Sequence, residues 1–257
     1  MITKFAVKNY RGFADRIEWD LSHPSSYSFN TFAIKDGIVK NGIIYGPNGS
    51  GKSNLALAVF DIILHLTQKA KNPHQFEAII NALHPNDFVS FEYTFRFGTN
   101  IVDYYYSKSI DGIESEKVVL DGNVVFALDN NNLTIESLEF PMTEENKKQL
   151  ANSSNKVSVL GYLWSVYPFN SDHPLMKMKE FVEGMLLFWN HEERGFAGLD
   201  EGTTFIEEYI IANDLVDDFS DFLKSVSGQE FKFKAAQKGD KQLICDIGDG
   251  IPFYKIR

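Results

Sequence analysis

The run Gly46-Pro47-Asn48-Gly49-Ser50-Gly51-Lys52-Ser53 fills the pattern G-x-x-x-x-G-K-S/T at every fixed position, and it restricts the fold more than any other stretch. A chain of phosphates needs several donors at close range, and only small residues let consecutive backbone N–H groups curl around it without Cβ clashes. Gly46, Gly49 and Gly51 supply that freedom. Lys52 then reaches the terminal phosphates as a point charge, and the Ser53 hydroxyl takes one position on Mg²⁺. The flanks agree with this reading. Gly42-Ile43-Ile44-Tyr45 is a short apolar segment suited to a buried strand, and from Asn54 to Gln68 the polar residues Asn54, Asp61, His65 and Gln68 share one helical stripe. Strand, glycine loop and buried helix are therefore predicted in succession, with the helix N-terminus adding its N–H groups and dipole to the cradle. The competing reading, a glycine-rich turn that merely joins strand to helix, leaves Lys52 and Ser53 without a task.

Net charge narrows the partners. With 25 basic and 35 acidic residues the formal charge is −10, which argues against attraction of the whole surface to nucleic acid or anionic lipid. A single cysteine, Cys245, excludes an internal disulfide. Met1-Ile2-Thr3-Lys4-Phe5 lacks the apolar core of a signal peptide, and no window reaches the ~20 apolar residues of a membrane span. The expectation is a cytoplasmic protein with no membrane partner.

Around the loop, Ile2 to Lys8 alternates as a strand, followed by Asn9-Tyr10-Arg11-Gly12-Phe13 and a second strand-like run from Ile17 to Leu21. The clearest alternation is Val89, Phe91, Tyr93, Phe95 and Phe97 against Ser90, Glu92, Thr94 and Arg96. Turn signals at Gly98-Thr99-Asn100, Asp111-Gly112 and Asp121-Gly122-Asn123 divide the sequence that follows into three more short strands, Ile101 to Ile110, Glu116 to Leu120 and Val124 to Leu128. Such close spacing predicts an antiparallel meander. From Glu144 the pattern turns helical. Leu175, Met178, Phe181, Val182, Met185, Leu186 and Trp189 recur at helical spacing, Thr204 with Glu207 spells a capping box, and Asp214 with Asp217 opens a helix that Ser227-Gly228 closes. Strands return at Phe231 to Ala235 and Leu243 to Ile247, and the last residues keep a strand-like pattern. Three segments follow from this: 1–140 around the loop and meander, a helical insertion over 141–228, and strands over 229–257 that return to the core.

Phe5-Ala6-Val7-Lys8-Asn9-Tyr10-Arg11-Gly12-Phe13, followed by a loop spelled Gly-Pro-Asn-Gly-Ser-Gly-Lys-Ser-Asn and a meander, resembles the ABC-type ATPases of the SMC, RecF and OLD group. Within that group it is similar to the bacterial ATPases of anti-phage defence operons. The resemblance covers residues 1 to 135 and fades in the helical stretch. It implies an α/β P-loop NTPase fold, an ABC-type ATPase head with an antiparallel meander and an inserted helical region. It also implies that Gly46, Pro47, Asn48, Gly49, Ser50, Gly51, Lys52, Ser53 and Asn54 hold ATP and Mg²⁺, with Ser53 on the metal and Arg11 near the nucleotide. The partners implied are a second copy in a nucleotide-dependent dimer and an effector subunit such as a nuclease or toxin. A DNA-clamping ATPase of repair and an ATP-dependent scaffold with little turnover are the alternatives.

Hydrolysis in that group needs an apolar strand ending in Asp-Glu and a serine-glycine signature. Leu199-Asp200-Glu201 has the dipeptide but sits among Gly195, Gly198 and Gly202, as a loop would, and Leu243-Ile244-Cys245-Asp246 has the strand but continues into Ile247. Neither Gln68 nor Gln75 has the setting of a γ-phosphate sensor, and no signature is present. The chain is therefore expected to be the N-terminal part of a longer ATPase, binding ATP weakly and hydrolysing almost none alone. The six histidines form no metal-ligand spacing. Lys232, Lys234, Lys238 and Lys241 read as a solvated strand face that could touch DNA, and Asp214, Asp217, Asp218 and Asp221 as an exposed helix face.

Overall fold

A computed structural model describes residues 1–26, 28–67, 79–109, 112–152, 157–189, 195–197, 206–228, 230, 232–235, 243–245 and 251–252. The chain divides into two compact units, Met1–Leu199 and Asp200–Arg257. The first opens with strands β1 (Ile2–Lys8), β2 (Ile17–Asp20), β3 (Ile34–Lys35) and β4 (Ile38–Val39), then helix α1 (Lys52–Thr67). Next come β5 (Val89–Phe97), β6 (Asn100–Ser109), β7 (Gly112–Leu120), β8 (Asn123–Asp129) and β9 (Asn132–Ile135). Helices α2 (Glu144–Ala151), α3 (Val159–Val166) and α4 (Pro174–Glu183) follow, and the strand pair β10 (Leu187–Trp189) and β11 (Gly195–Ala197) completes the unit.

One seven-stranded sheet, in the order β2-β1-β5-β6-β7-β8-β9, is the frame. Its turns explain its topology. Asp121 and Gly122 have φ of 49° and 80°, and Asn130 and Asn131 of 45° and 66°. Positive φ at both central residues gives the tight turn whose twist matches antiparallel strands. Registry then aligns Phe5 with Tyr93, Tyr93 with Tyr104, Tyr104 with Val118 and Val118 with Phe126, so a row of buried side chains crosses five strands on one face. On that face lies α1, tied down by the Tyr93 hydroxyl, which donates to the carbonyls of Ala58 (3.0 Å) and Val59 (3.2 Å). Helices α3 and α4 pack beside α1, α4 also against β5 and β6, with Val159, Leu160, Leu163, Leu175, Met178 and Val182 closing the same core.

The expected α/β P-loop NTPase fold of ABC type is not what the chain adopts. That fold has a parallel sheet as its core, whereas every strand pair among the described residues is antiparallel. Parallel neighbours need crossover connections of about a dozen residues or more, and the strands from β5 to β9 follow one another through tight turns instead. The predicted strand before the glycine loop is the clearest loss. Gly42–Tyr45 joins none of the described strands, and Ile43 and Tyr45 are 92% and 91% exposed. A run of four apolar residues specifies an extended backbone but names no neighbour to pair with. Ile43→Ser should accordingly change unfolding free energy in urea by less than about 0.5 kcal/mol, as for exposed sites. A loss of about 2–5 kcal/mol, the cost of emptying a buried isoleucine site, would instead place the segment in a core.

The helical stretch departs from its pattern once more. α4 stops at Glu183, where the Gly184 N–H donates to the Glu180 carbonyl at 3.0 Å, and Leu187–Trp189 pairs with Gly195–Ala197 instead of continuing the helix. Its N-cap is His173, with Pro174 in the first turn where a missing N–H costs nothing.

The second unit holds α5 (Ile206–Ala212), α6 (Val216–Ser227), and the antiparallel strands β12 (Phe233–Ala235), β13 (Leu243–Cys245) and β14 (Ile251–Pro252). Ile210, Phe233, Leu243 and Cys245 form its small core, and Gly228 ends α6 with φ of 71°. The Glu207 carboxylate accepts from the Leu243 N–H at 2.9 Å. Gln68, Gln75, Asp200, Glu201, Thr204, Asp246 and Ile247 lie outside the described residues.

Candidate functional site

Two short segments meet at the head of α1. The first is a tight hairpin in which Tyr10 and Phe13 exchange backbone hydrogen bonds of 2.9 and 2.8 Å, with Asn9 and Arg11 both at positive φ. It is clamped from residues 79–88. The Arg11 N–H donates to the Ile79 carbonyl (2.7 Å), the Asn81 amide donates to the Arg11 carbonyl, and the Asn9 amide donates to the carbonyls of His84 (3.1 Å) and Asp87 (3.2 Å). Beneath the hairpin the Tyr10 ring is buried, edge-on to Phe91 with centroids 5.6 Å apart.

This clamp delivers Gly12 and Phe13 to the second segment, the glycine loop. A Cβ on Gly12 would stand 3.4 Å from the Asn54 side-chain nitrogen, and a Cβ on Gly51 would strike the Phe13 ring at 2.8 Å. Gly51 also has φ of 92°, so glycine is required there by both space and backbone. The loop turns on a Ser50 N–H bond to the Pro47 carbonyl (3.3 Å) and enters the helix with Leu55 N–H on the Gly51 carbonyl (2.9 Å). The Lys52 ammonium folds across it, donating to the carbonyls of Gly46 at 2.8 Å and Pro47 at 2.7 Å.

Asn48, Gly49, Ser50, Gly51, Lys52, Ser53 and Asn54 together line an exposed hollow of about 290 Å³. The first N–H groups of a helix have no acceptor within it, and at α1 they belong to these residues. Donors, an ammonium and a hydroxyl therefore meet at one surface depression, which is the donor set that an anionic chain of phosphates with a cation calls for. Gly46 and Pro47 contribute the carbonyls that hold Lys52, and Arg11 is not among the residues lining the hollow. Arg11 instead places its guanidinium 5.7 Å from the centre of the Tyr10 ring. Among the described residues no cluster of three or more His, Cys, Asp or Glu side chains could hold a metal. A Mg²⁺ ion at this loop would take the Ser53 hydroxyl together with phosphate oxygens.

Two further polar centres escaped the sequence reading. Asp61 and His65, assigned to a polar stripe of α1, face the sheet and are only 2% and 4% exposed. The Asp61 carboxylate accepts from the Lys108 ammonium at 2.6 Å and the Tyr106 hydroxyl at 2.8 Å. Glu116, on β7, is fully buried and accepts from the Tyr104 hydroxyl and Ser158 hydroxyl, both at 2.8 Å. It also accepts from the Val159 and Leu160 N–H groups at 2.7 and 3.0 Å. Period-two counting held the signal for both centres: Lys108 continues the inward set Val102, Tyr104, Tyr106, and Glu116 lies two residues from the buried Val118.

No helix among the described residues is long and apolar enough to cross a membrane. No protein-family model matches the chain, and comparison with curated proteins finds no significant match, which leaves residues 9–14 and 46–54 to carry the functional reading.

Proposed function

We propose that the hollow from Asn48 to Asn54 binds the phosphates of ATP with Mg²⁺. The observation that carries this is the Lys52 ammonium at 2.7–2.8 Å from two loop carbonyls, with Lys52 itself the first residue of α1 and part of the lining of the hollow. An incoming γ-phosphate exchanges those neutral carbonyls for a charged acceptor, which makes a stronger bond to the same ammonium. The loop keeps its shape throughout, because Gly51 and Phe13 fix its exit independently of Lys52. In this reading the chain is the nucleotide-binding subunit of a cytoplasmic ATPase, whose ATP-dependent pairing with a second copy controls an effector protein in defence against phage. Two features favour protein partners over nucleic acid: the formal charge of −10, and the exposed Ile43 and Tyr45 beside the loop.

Calorimetric titration tests the binding step. Mg-ATP should bind, and Mg-AMP should bind at least about 100-fold more weakly, because two charge-assisted contacts to the missing phosphates are lost. Equal affinity for the two nucleotides, or none for either, would remove the proposal.

A further inference from the structure

The helix that begins at the phosphate loop carries a charged and an uncharged polar group into the core, one turn apart on one face. Asp61 holds Lys108 and Tyr106. The His65 ring lies flat on the Tyr106 ring, with centroids 3.9 Å apart and planes within 5°, and among the described residues neither ring nitrogen has a hydrogen-bond partner. Buried polar atoms without partners are rare in folded proteins, and a phenylalanine would stack equally well at this place. The groups facing the imidazole come chiefly from β6: Tyr104 at 5.9 Å between centroids, Tyr106, and Lys108, whose ammonium lies 5.2 Å from the Tyr106 ring centre. From β5, Tyr93 joins Tyr106 at 3.4 Å between hydroxyls, and α1 itself contributes Asp61. Next to His65 along α1, the Leu66 carbonyl is met by Gly161 of α3, where a Cβ would come within 2.9 Å of it. Lys108 is the charged group whose field acts on the ring among the described residues.

We propose that Asp61 and His65 form an acid-sensitive latch that holds α1 on the sheet. At neutral pH the uncharged imidazole stacks on Tyr106 while Asp61 retains Lys108. As pH falls, a proton taken from solvent by His65 sets a buried imidazolium in the field of the Lys108 ammonium, which already holds the Asp61 carboxylate. Among the described residues no acceptor meets either ring nitrogen, so α1 separates from the sheet and the loop at its head loses its anchor. Burial first, and Lys108 second, hold the His65 proton affinity well below that of a solvated imidazole. Released chains therefore bind more protons than folded ones below about pH 6.5, and stability falls as pH falls through that range. The latch stands on the cluster alone, whereas its effect on nucleotide rests on the phosphate-binding proposal.

Calorimetric melting without nucleotide, in the wild type and in His65→Phe, tests it. Between about pH 7.5 and about pH 5.5 the wild-type melting temperature should fall by about 4 °C more than that of the variant, in which shared carboxylates cancel. Equal pH slopes would overturn the latch. Should His65→Phe fail to fold, Lys108→Met carries the test: the imidazole of residue 65, followed by NMR, should titrate closer to the ordinary histidine value. An unchanged titration would overturn the latch as well. Adding Mg-ATP separates the two ideas, since a wild-type slope steeper than the variant's without any ATP-induced shift would leave the latch standing and remove the phosphate site.

Discussion

Glu116→Ala should lower the unfolding free energy by about 4 kcal/mol and the melting temperature by about 12 °C. The residue is fully buried and its two oxygens gather four donors, two of them the N–H groups of Val159 and Leu160 at the start of α3. Alanine would strand all four in a dry core, where each unpaired donor costs about 1–3 kcal/mol, with some relief from relaxation and water. Among the described residues no cation contacts the carboxylate. Its charge is balanced by the positive end of α3 and by hydroxyl dipoles. Burial outweighs those bonds and pushes the carboxyl up from its ordinary value, so the folded chain binds a proton more readily than the unfolded one does. The sign is then opposite to that at His65: the Glu116 contribution to stability grows as pH falls from the raised folded value toward about 4.5. Glu116→Gln should cost less than alanine, because its amide oxygen still accepts while its NH₂ group opposes the remaining donors. Amide exchange over 159–163, measured alongside urea unfolding, should accelerate most in the alanine variant. A Glu116→Ala protein within about 1 kcal/mol of wild type would show that α3 is held by its apolar side chains alone.

Lys52→Ala should abolish the thermal stabilisation given by Mg-ATP while leaving the unliganded protein nearly unchanged. At nucleotide concentrations about 100 times the dissociation constant, binding raises stability by about 2.7 kcal/mol, seen as a melting shift of about 8 °C. Without nucleotide the ammonium bonds only two carbonyls at an exposed site, so its removal should alter the unliganded melting temperature by no more than about 2 °C. The selective loss is the point, because a structural lysine would move both values together. If the variant responded to Mg-ATP as fully as wild type, the hollow at Asn48–Asn54 would have no phosphate role.

Much of the first unit was legible residue by residue. The alternation of Val89 to Phe97 and the turn residues at 98–100 and 121–123 specify the meander, since side-chain period and positive-φ turns are local properties. The loop from Gly46 to Ser53 was legible for the same reason, and the structure brings Asn48 to Asn54 around one hollow. The contact of Phe13 with Gly51 was not, because about 40 residues separate them and nothing in either sequence context names the other.

The backbone conformations the chain can hold follow from its residues alone: glycine and asparagine where φ is positive, period-two faces on the strands, caps and stops on the helices. Which segments become neighbours is settled by long-range packing. Gly42–Tyr45, apolar enough for a buried strand, joins none of the described strands and leaves Ile43 and Tyr45 exposed, because a short apolar run specifies an extended backbone but names no partner. Asp61, His65 and Glu116, polar enough for the surface, lie inside because Lys108, Tyr106, Tyr104 and the N-terminus of α3 arrive from distant positions to stack on or bond them. Local pattern constrains dihedral angles, whereas burial depends on which surfaces compete for the same core, a choice made by the whole chain at once.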